Sequence, residues 1–225
     1  MERHIEGAAH LCRERSSEKH RVGLIVDEWG TWYREAATER GLRQDSTMAD
    51  AIFAGLCFHM FHHHAADLAM TNMAQTVNVL QALVLTEGPK LCLTPTYWVY
   101  DLLKPHRDGQ VVPATLRGPW LTLDDGKRLA LCSASATSRG RQMALSLVNA
   151  DLSGACQVAA SLTGAAVEEV ASARVLTSSG VRDHNTPDQP DVITPATLEV
   201  TVVDGTVRTV LPACAVAMIE LVLAD

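Results

Sequence analysis

Two adjacent carboxylates, Asp27 and Glu28, follow an apolar run over residues 22–26 and precede Trp29. A carboxylate held at the carboxyl end of a buried strand, where the loops open to solvent, can act as a nucleophile or as a general acid or base. The same pair could instead only cap the next helix. Glu28 is the first candidate for a catalytic carboxylate.

Four of the nine histidines cluster in one stretch of the chain, at His59 and at 62–64. His59 and His63 are four residues apart, a spacing that two zinc ligands on one helical face could use. No HExxH motif is present, and no third ligand is obvious nearby. We therefore predict a solvated helix end there, and neither a metal nor a cofactor for this chain.

Composition limits the possible partners. The 225 residues carry a net charge of −7 and their basic side chains are not clustered, which argues against a nucleic-acid partner. The N-terminus resembles no signal peptide, and no run reaches the about 18 apolar residues of a membrane span, so we expect no membrane partner and a cytoplasmic location. The cysteines form no CxxC pair, and we expect them to be reduced.

The first half of the chain alternates strand-like and helix-like segments. Apolar runs at 22–26 and 68–73 indicate strands covered on both faces. Helical periodicity indicates a helix around Ile5 to Cys12 and another from about Met48, which Asp45 or Ser46 could cap. Thr94 and Pro95 then open a helix that ends before Pro105. This order is typical of parallel βα units.

From Trp120 onward the pattern changes to apolar runs of strand length separated by turn residues. The clearest hairpin turns at Asp204-Gly205. Strands at this spacing without helices predict an antiparallel sandwich. We therefore predict two domains, 1–109 and 110–225, with a linker near Pro105 to Gly118.

Four stretches of sequence carry a resemblance to a known family: VGLIVDEWGTWY (22–33), AQTVNVLQ (74–81), LTPTY (93–97) and ARVLTSSGVRDHNTPDQPDVITP (173–195). Together they closely resemble the C-terminal half of glycoside hydrolase family 51, the α-L-arabinofuranosidases. The resemblance implies the C-terminal quarter of a (β/α)8 TIM barrel, holding strands seven and eight, followed by a jelly-roll-like β-sandwich. It also implies retaining hydrolysis of terminal α-L-arabinofuranosyl residues.

The resemblance assigns roles to three residues. Glu28 matches the catalytic nucleophile at the end of the seventh barrel strand. Gln75 matches a glutamine after the eighth strand that contacts the sugar, and Trp32 matches an aromatic residue that lines the substrate subsite, although either Trp29 or Trp32 could instead pack in the core. The implied partner is an arabinose-containing oligosaccharide or polysaccharide, and the intact family enzyme is expected to be a homo-oligomer.

One family feature is missing from this sequence. The family's acid/base glutamate lies in an Asn-Glu pair, and no such pair occurs here. We therefore expect a C-terminal fragment that carries the nucleophile, lacks the acid/base and is inactive alone. Two alternatives stay open, namely endo-β-glucanase specificity on the same fold and a non-catalytic carbohydrate-binding or interaction module. The lack of Trp, Tyr and Phe after Trp120 counts against sugar stacking by the sandwich.

Overall fold

The computed structural model of the protein describes residues 1–38 and 41–225. In the first half the elements are α1 (Glu2–Arg15), β1 (Leu24–Trp29), a 3-10 turn (Arg34–Ala36), β2 (Ala37–Thr38), β3 (Gly41–Leu42), α2 (Met48–His63), β4 (Leu68–Met73), β5 (Val84–Glu87), β6 (Lys90–Leu93), α3 (Pro95–Leu102) and a second 3-10 turn (Lys104–His106). The predicted strands and helices of this half are confirmed as elements, but the prediction that both strands are covered on both faces is wrong. Ile25 is 49% exposed and Met70 is 53% exposed, because only the other face of the two strands packs into the apolar core.

The second half of the chain is built from strands. They are β7 (Gln110–Val112), β8 (Trp120–Thr122), β9 (Arg128–Ala130), β10 (Cys132–Arg139), β11 (Gln142–Asn149), β12 (Cys156–Ser161), β13 (Val167–Thr177), β14 (Ala196–Thr197), β15 (Val200–Val203), β16 (Thr206–Leu211) and β17 (Ala215–Leu223). The predicted hairpin at Asp204-Gly205 joins β15 to β16.

In the first half, β1 and β4 pair in parallel, with Leu24 opposite Leu68 and Val26 opposite Thr71. Helix α2 connects them, as expected for a βα unit. The helix begins after Thr47, and not after Asp45 or Ser46: the Asp50 carboxylate accepts hydrogen bonds from the backbone N–H and the hydroxyl of Thr47. A side chain at the third helical position thus holds the start of the helix.

The second half is a two-layer antiparallel sandwich. One sheet has the strand order β14-β13-β17-β11-β10-β7, and the other has the order β12-β16-β15. Residues that alternate along the central strands, such as Leu145 and Leu147 on β11, fill the space between the two sheets. Strand β7 lies within the predicted linker and pairs with β10, so that segment forms part of the larger sheet.

The outer face of the larger sheet is also buried, because α2 and α3 pack against it. Val148 and Val216 from the sheet share one apolar core with Phe61 of α2 and Leu102 of α3. Helix α2 is consequently buried around most of its circumference. None of the helices in the described part of the chain has the length and apolar character that a membrane span requires.

This packing corrects the prediction of a solvated histidine cluster. His59 is 1% exposed, and its two ring nitrogens are hydrogen-bonded to Ser133 Oγ (2.8 Å) and Ser146 Oγ (2.9 Å) of the sandwich. Sequence periodicity could not reveal this, because the covering surface comes from strands more than 70 residues later along the chain.

Gly55 sets how closely α2 approaches the sheet. A Cβ at this position would lie 2.9 Å from Val148 Cγ2 and 3.2 Å from Val216 Cγ2. We expect Gly55→Ala to lower the free energy of unfolding by up to about 2 kcal/mol, because the overpacking outweighs the gain of about 1 kcal/mol in helix propensity. Urea denaturation measures the change.

Gly7 on α1 is the matched control, since nothing lies within 4 Å of the position of its Cβ. There Gly7→Ala should raise the free energy of unfolding by about 0.5–1 kcal/mol. Equal stabilisation by both substitutions would contradict a close approach of α2 to the sheet.

Candidate active site

Glu28 lies at the carboxyl end of β1 and its side chain is exposed. The pairing of β1 with β4 advances by three residues from Val26 to Trp29 on β1, and by only two from Thr71 to Met73 on β4. The additional residue makes a β-bulge, and Glu28 has a φ of +52° within it. Bulges of this kind re-aim a side chain, and here the bulge turns Glu28 out of the strand's regular alternation.

The end of β4 lies beside Glu28. The N–H of Ala74 donates to the carbonyl oxygen of Trp29 at 3.0 Å, and the Ala74–Gln75 peptide bond is cis. Gln75 follows with an exposed side chain. The structure therefore brings Glu28 and Gln75 to the same edge of the β1–β4 pair.

Asp27 is held differently from its neighbour. Its Oδ1 accepts a hydrogen bond of 2.5 Å from the Asn72 side-chain amide on β4. This bond ties the two strand ends together next to the bulge. Asp27 therefore has a partner within the strand pair, whereas the carboxylate of Glu28 forms no hydrogen bond with any described residue.

Buried polar side chains hold the segment that follows β1. The Thr31 N–H donates to Gln81 Oε1 at 2.8 Å, and the Tyr33 N–H donates to Gln44 Oε1 at 3.1 Å. Gln81 is fully buried, and it also donates to the carbonyl oxygen of Asp50 at 2.9 Å. These amides fix the backbone on both sides of Trp32.

Asp50 is the charged centre of this network. It is fully buried, and its Oδ1 accepts hydrogen bonds from the hydroxyl groups of Thr31 and Tyr33. Burial, followed by the negative charge of Asp50, raises the pKa of Tyr33 to about 12. The Tyr33 hydroxyl therefore keeps its proton at neutral pH and donates it in the hydrogen bond to Asp50.

The two tryptophans near the site separate into different environments. Trp29 is 3% exposed and packs edge-on against Phe58 and Phe61 with ring centroids 5.5 and 5.2 Å away. Trp32 is 66% exposed. Of the pair, only Trp32 is free to contact a ligand, and Trp29 anchors the strand end in the core.

Sequence reasoning did not find Gln44, Asp50 or Gln81. The Thr47 to Asp50 spacing is a capping-box pattern that could have drawn attention to Asp50. No local signal marks the two glutamines, because their partners lie 11 to 50 residues away.

A large cleft of about 760 Å³ lies beyond Tyr33. It is lined by residues that precede α2 and by the loop after β13, including Arg43, Asp45, Arg182 and His184. Glu28, Gln75 and Trp32 do not line it. Among the described residues no group of three or more His, Cys, Asp and Glu side chains could hold a metal ion.

Comparison with known proteins decides the family. Residues 27–215 match the family model described as the α-L-arabinofuranosidase C-terminal domain. The chain belongs to this family. It is similar to an intracellular exo-α-L-arabinofuranosidase of Bacteroides ovatus, with 35% identity over 205 residues, 89% of this chain and 40% of the relative.

Solved arabinofuranosidase structures are also similar to this chain. The glycoside hydrolase family 51 enzyme of Xanthomonas axonopodis pv. citri is 34% identical with a TM-score of 0.90, over 98% of this chain and 45% of that chain. The Thermotoga maritima enzyme in its arabinose complex shares the fold at 22% identity and a TM-score of 0.82, over 97% of this chain and 47% of that chain.

These matches confirm both the resemblance to glycoside hydrolase family 51 and the predicted fold class, an α/β part followed by an antiparallel sandwich. The chain spans less than half the length of these relatives. The domain boundary at 109/110 and the roles of Glu28, Gln75 and Trp32 stay predictions.

The positive φ of Glu28 gives a test of whether its backbone is strained. A residue with a Cβ is disfavoured in this region, whereas glycine is not. We expect Glu28→Gly to be more stable than Glu28→Ala by about 1 kcal/mol in urea denaturation, although both remove the carboxylate.

Asp27 provides the control, because its φ is not positive. At that position we expect the Asp27→Gly variant to have a lower free energy of unfolding than the Asp27→Ala variant. A Glu28→Gly variant that is less stable than Glu28→Ala would show that the bulge imposes no strain on Glu28.

Proposed function

We propose that this chain supplies the nucleophile of a retaining α-L-arabinofuranosidase, and that the nucleophile is Glu28. The observation that supports this most is the placement of an exposed carboxylate on a β-bulge at the carboxyl end of β1, beside the end of β4. Strand ends of this type hold catalytic groups rigidly while leaving them open to substrate.

In the proposed reaction the Glu28 carboxylate attacks the anomeric carbon of a terminal arabinofuranosyl residue. The bond to the leaving oxygen breaks, and a covalent glycosyl-enzyme forms that water then hydrolyses. Attack by an ionised carboxylate requires no prior loss of a proton. The exposed position of Glu28 leaves its carboxylate open to an incoming substrate.

The leaving oxygen needs a proton from a second carboxyl group, which in retaining enzymes lies about 5–5.5 Å from the first. Asp27 is poorly suited to this role, because its Oδ1 is already engaged by the Asn72 side-chain amide. We propose that the acid comes from the part of the family enzymes that this chain does not match.

Gln75 and Trp32 are proposed to bind the sugar. The Gln75 amide offers both a donor and an acceptor for ring hydroxyls. The exposed ring of Trp32 offers an apolar face, and its flanking backbone is fixed by Gln44 and Gln81. Their proposed task is to orient the anomeric carbon toward Glu28.

The proposal includes the natural context of the protein. We propose an arabinose-containing oligosaccharide or polysaccharide as the substrate, a cytoplasmic location as the names of the intracellular relatives suggest, and a homo-oligomeric intact enzyme. Light scattering of the intact enzyme measures the oligomeric state.

A chimeric enzyme tests the proposed function. Residues of this chain replace the matched C-terminal part of the Bacteroides ovatus relative, and arabinose release from an arabino-oligosaccharide is measured for the chimera and for the isolated chain. We expect release by the chimera and no appreciable release by the isolated chain, since a poor leaving group does not depart without a proton donor.

Two results would count against the proposal. Turnover by the isolated chain that Glu28→Gln leaves unchanged would place the chemistry elsewhere. Cleavage of β-glucan in preference to arabino-oligosaccharide by a folded chimera would favour the endo-β-glucanase alternative.

A further inference from the structure

Two cysteines from different sheets of the sandwich lie in contact. Cys132 is the first residue of β10 in the larger sheet, and Cys156 is the first residue of β12 in the smaller sheet. Their Sγ atoms are 3.2 Å apart, with the Cys132 thiol donating to the Cys156 sulfur. A disulfide bond is about 2.05 Å long, so the two sulfurs need to approach by only about 1.2 Å.

The connection between the two cysteines is held by side chains that do not involve sulfur. Asn149 donates hydrogen bonds of 2.8 Å to the carbonyl oxygens of Gly154 and Pro212. Asp151 Oδ1 accepts from the N–H groups of Ser153 and Gly154, both at 2.9 Å. The turn before β12 is thereby fixed against β11, which keeps Cys156 opposite Cys132.

The surroundings distinguish the two thiols. Cys132 is 8% exposed, and burial, followed by its hydrogen bond to Cys156, raises its pKa to about 12. Cys156 is only partly buried. A cavity of about 70 Å³, lined by both cysteines together with Arg117, gives a molecule the size of hydrogen peroxide room beside the pair.

We propose that Cys132 and Cys156 form a reversible disulfide bond between the two sheets when the protein meets a peroxide. Cys156 loses its proton and its sulfur attacks one peroxide oxygen; the O–O bond breaks, Cys156 becomes a sulfenic acid, and the departing hydroxide takes up the proton to give water. The Cys132 sulfur then displaces the sulfenic oxygen as water. In sum, two thiols and one hydrogen peroxide give one disulfide and two waters.

The bond would join strands that the backbone connects only through the segment from Cys132 to Cys156. Closing a loop of that length removes conformational freedom from the unfolded chain. We expect the oxidised protein to have a thermal midpoint higher by roughly 5–10 °C than the reduced protein. Dithiol reductants should return the thermal midpoint to that of the reduced protein. A change caused by over-oxidation to sulfinic acid would not be reversed in this way.

Peptide mapping tests the proposal directly. The reduced full chain is treated with hydrogen peroxide, remaining thiols are alkylated, and the protein is digested with trypsin without reduction. Cys132 and Cys156 lie in separate tryptic peptides, 129–139 and 142–174. We expect these two peptides joined, with the loss of two hydrogen atoms, and both released by dithiothreitol.

Variants provide the controls. Cys156→Ser should abolish the joined peptides and the thermal shift, whereas Cys12→Ser on α1 should leave both unchanged. Cys214 is the competing thiol, because it contacts the carbonyl oxygens of Asp151 and Leu152 in the same turn. Alkylation of both Cys132 and Cys156 after peroxide treatment, pairing of either with Cys214, or cross-links between molecules would overturn the proposal.

Discussion

Replacing Glu28 by alanine in the chimeric enzyme is expected to lower turnover of an arabino-oligosaccharide by on the order of 10⁴-fold or more. The substitution removes the only group assigned to attack the anomeric carbon. Binding of the sugar should change much less, since Gln75 and Trp32 are retained. Steady-state kinetics should therefore show a fall in kcat with little change in KM.

A small anion should partly restore the reaction. Removal of the Glu28 side chain leaves space at the end of β1, and azide can occupy that space and attack the anomeric carbon. A single displacement inverts the configuration, whereas the double displacement of the intact enzyme retains it. We expect Glu28→Ala with azide to yield an arabinofuranosyl azide of inverted configuration, identified by NMR.

Gln75→Ala is the comparison for the size of the effect. One hydrogen bond to a neutral group contributes about 0.5–1.5 kcal/mol, so we expect the loss of Gln75 to lower kcat/KM by roughly 2–13-fold. A loss as severe as that of Glu28→Ala would contradict the role of Gln75 as an accessory contact.

Lowering the pH from 7 to 5 is expected to destabilise the isolated chain by about 4–6 kcal/mol. The cause is a cluster of three histidines between α2, the turn at Lys104–His106 and the larger sheet. His59 and His106 are both hydrogen-bonded to Ser146 Oγ, at 2.9 and 2.7 Å. His62 is hydrogen-bonded to Ser135, and its ring centroid lies 4.6 Å from that of His106.

Burial lowers the pKa of all three imidazoles. The pKa of His62 is lowered to about 4 and that of His106 to about 3, and the pKa of His59 falls well below 6.5. After burial, the nearby titratable groups that act on these rings are the other histidines, including His63. A positive charge on one of these imidazoles therefore makes protonation of the others less favourable.

The sign of the effect follows from proton binding. In the unfolded chain these histidines titrate near pH 6.5. In the folded protein His62 stays neutral down to about pH 4 and His106 down to about pH 3, and burial lowers the pKa of His59 in the same direction. Between these values the unfolded state binds more protons, so stability falls as the pH falls. Each group contributes about 1.4 kcal/mol per pH unit in that window.

Urea denaturation at several pH values measures the slope of the free energy of unfolding against pH. His106→Gln should reduce the slope by about 1.4 kcal/mol per pH unit, because one titrating group is lost. His10 is the control, since its side chain is 66% exposed on α1, and His10→Gln should leave the slope unchanged. A wild-type stability that does not change between pH 7 and pH 5 would contradict the buried neutral state of the cluster.

The carboxylate of Asp101 affects stability in a lower pH range than the histidines do. Hydrogen bonding from Lys104 lowers the pKa of Asp101 below 3.8, so the stability that Asp101 contributes is lost only below that pH. Asp101 therefore contributes little to the loss between pH 7 and pH 5.

Local signals were sufficient to predict the main helices and strands of this fold, but not the short strands β5, β6 and β7. The apolar run at 22–26 gave β1, and Thr94 followed by Pro95 gave the start of α3, where the Tyr97 N–H donates to Thr94 Oγ1. Each of these signals depends on residues close together along the chain.

Long-range packing could not be predicted in the same way. The periodicity of α2 indicated an apolar face, but only the structure shows that β11 and β17 cover it at Gly55. The Glu28 bulge depends on register with β4, and the supports of Trp32 depend on Gln44 and Gln81. These features arise where segments distant in sequence meet.

The most direct measurement of the central claim is the position of the covalent intermediate. The chimeric enzyme is mixed with an aryl arabinofuranoside, quenched with acid and digested with trypsin, and the peptide of residues 22–34 is sequenced by mass spectrometry. We expect an arabinosyl group on Glu28, present in Asp27→Asn and absent in Glu28→Gln. An arabinosyl group on Asp27, or on a peptide outside 22–34, would contradict the assignment of Glu28 as the nucleophile.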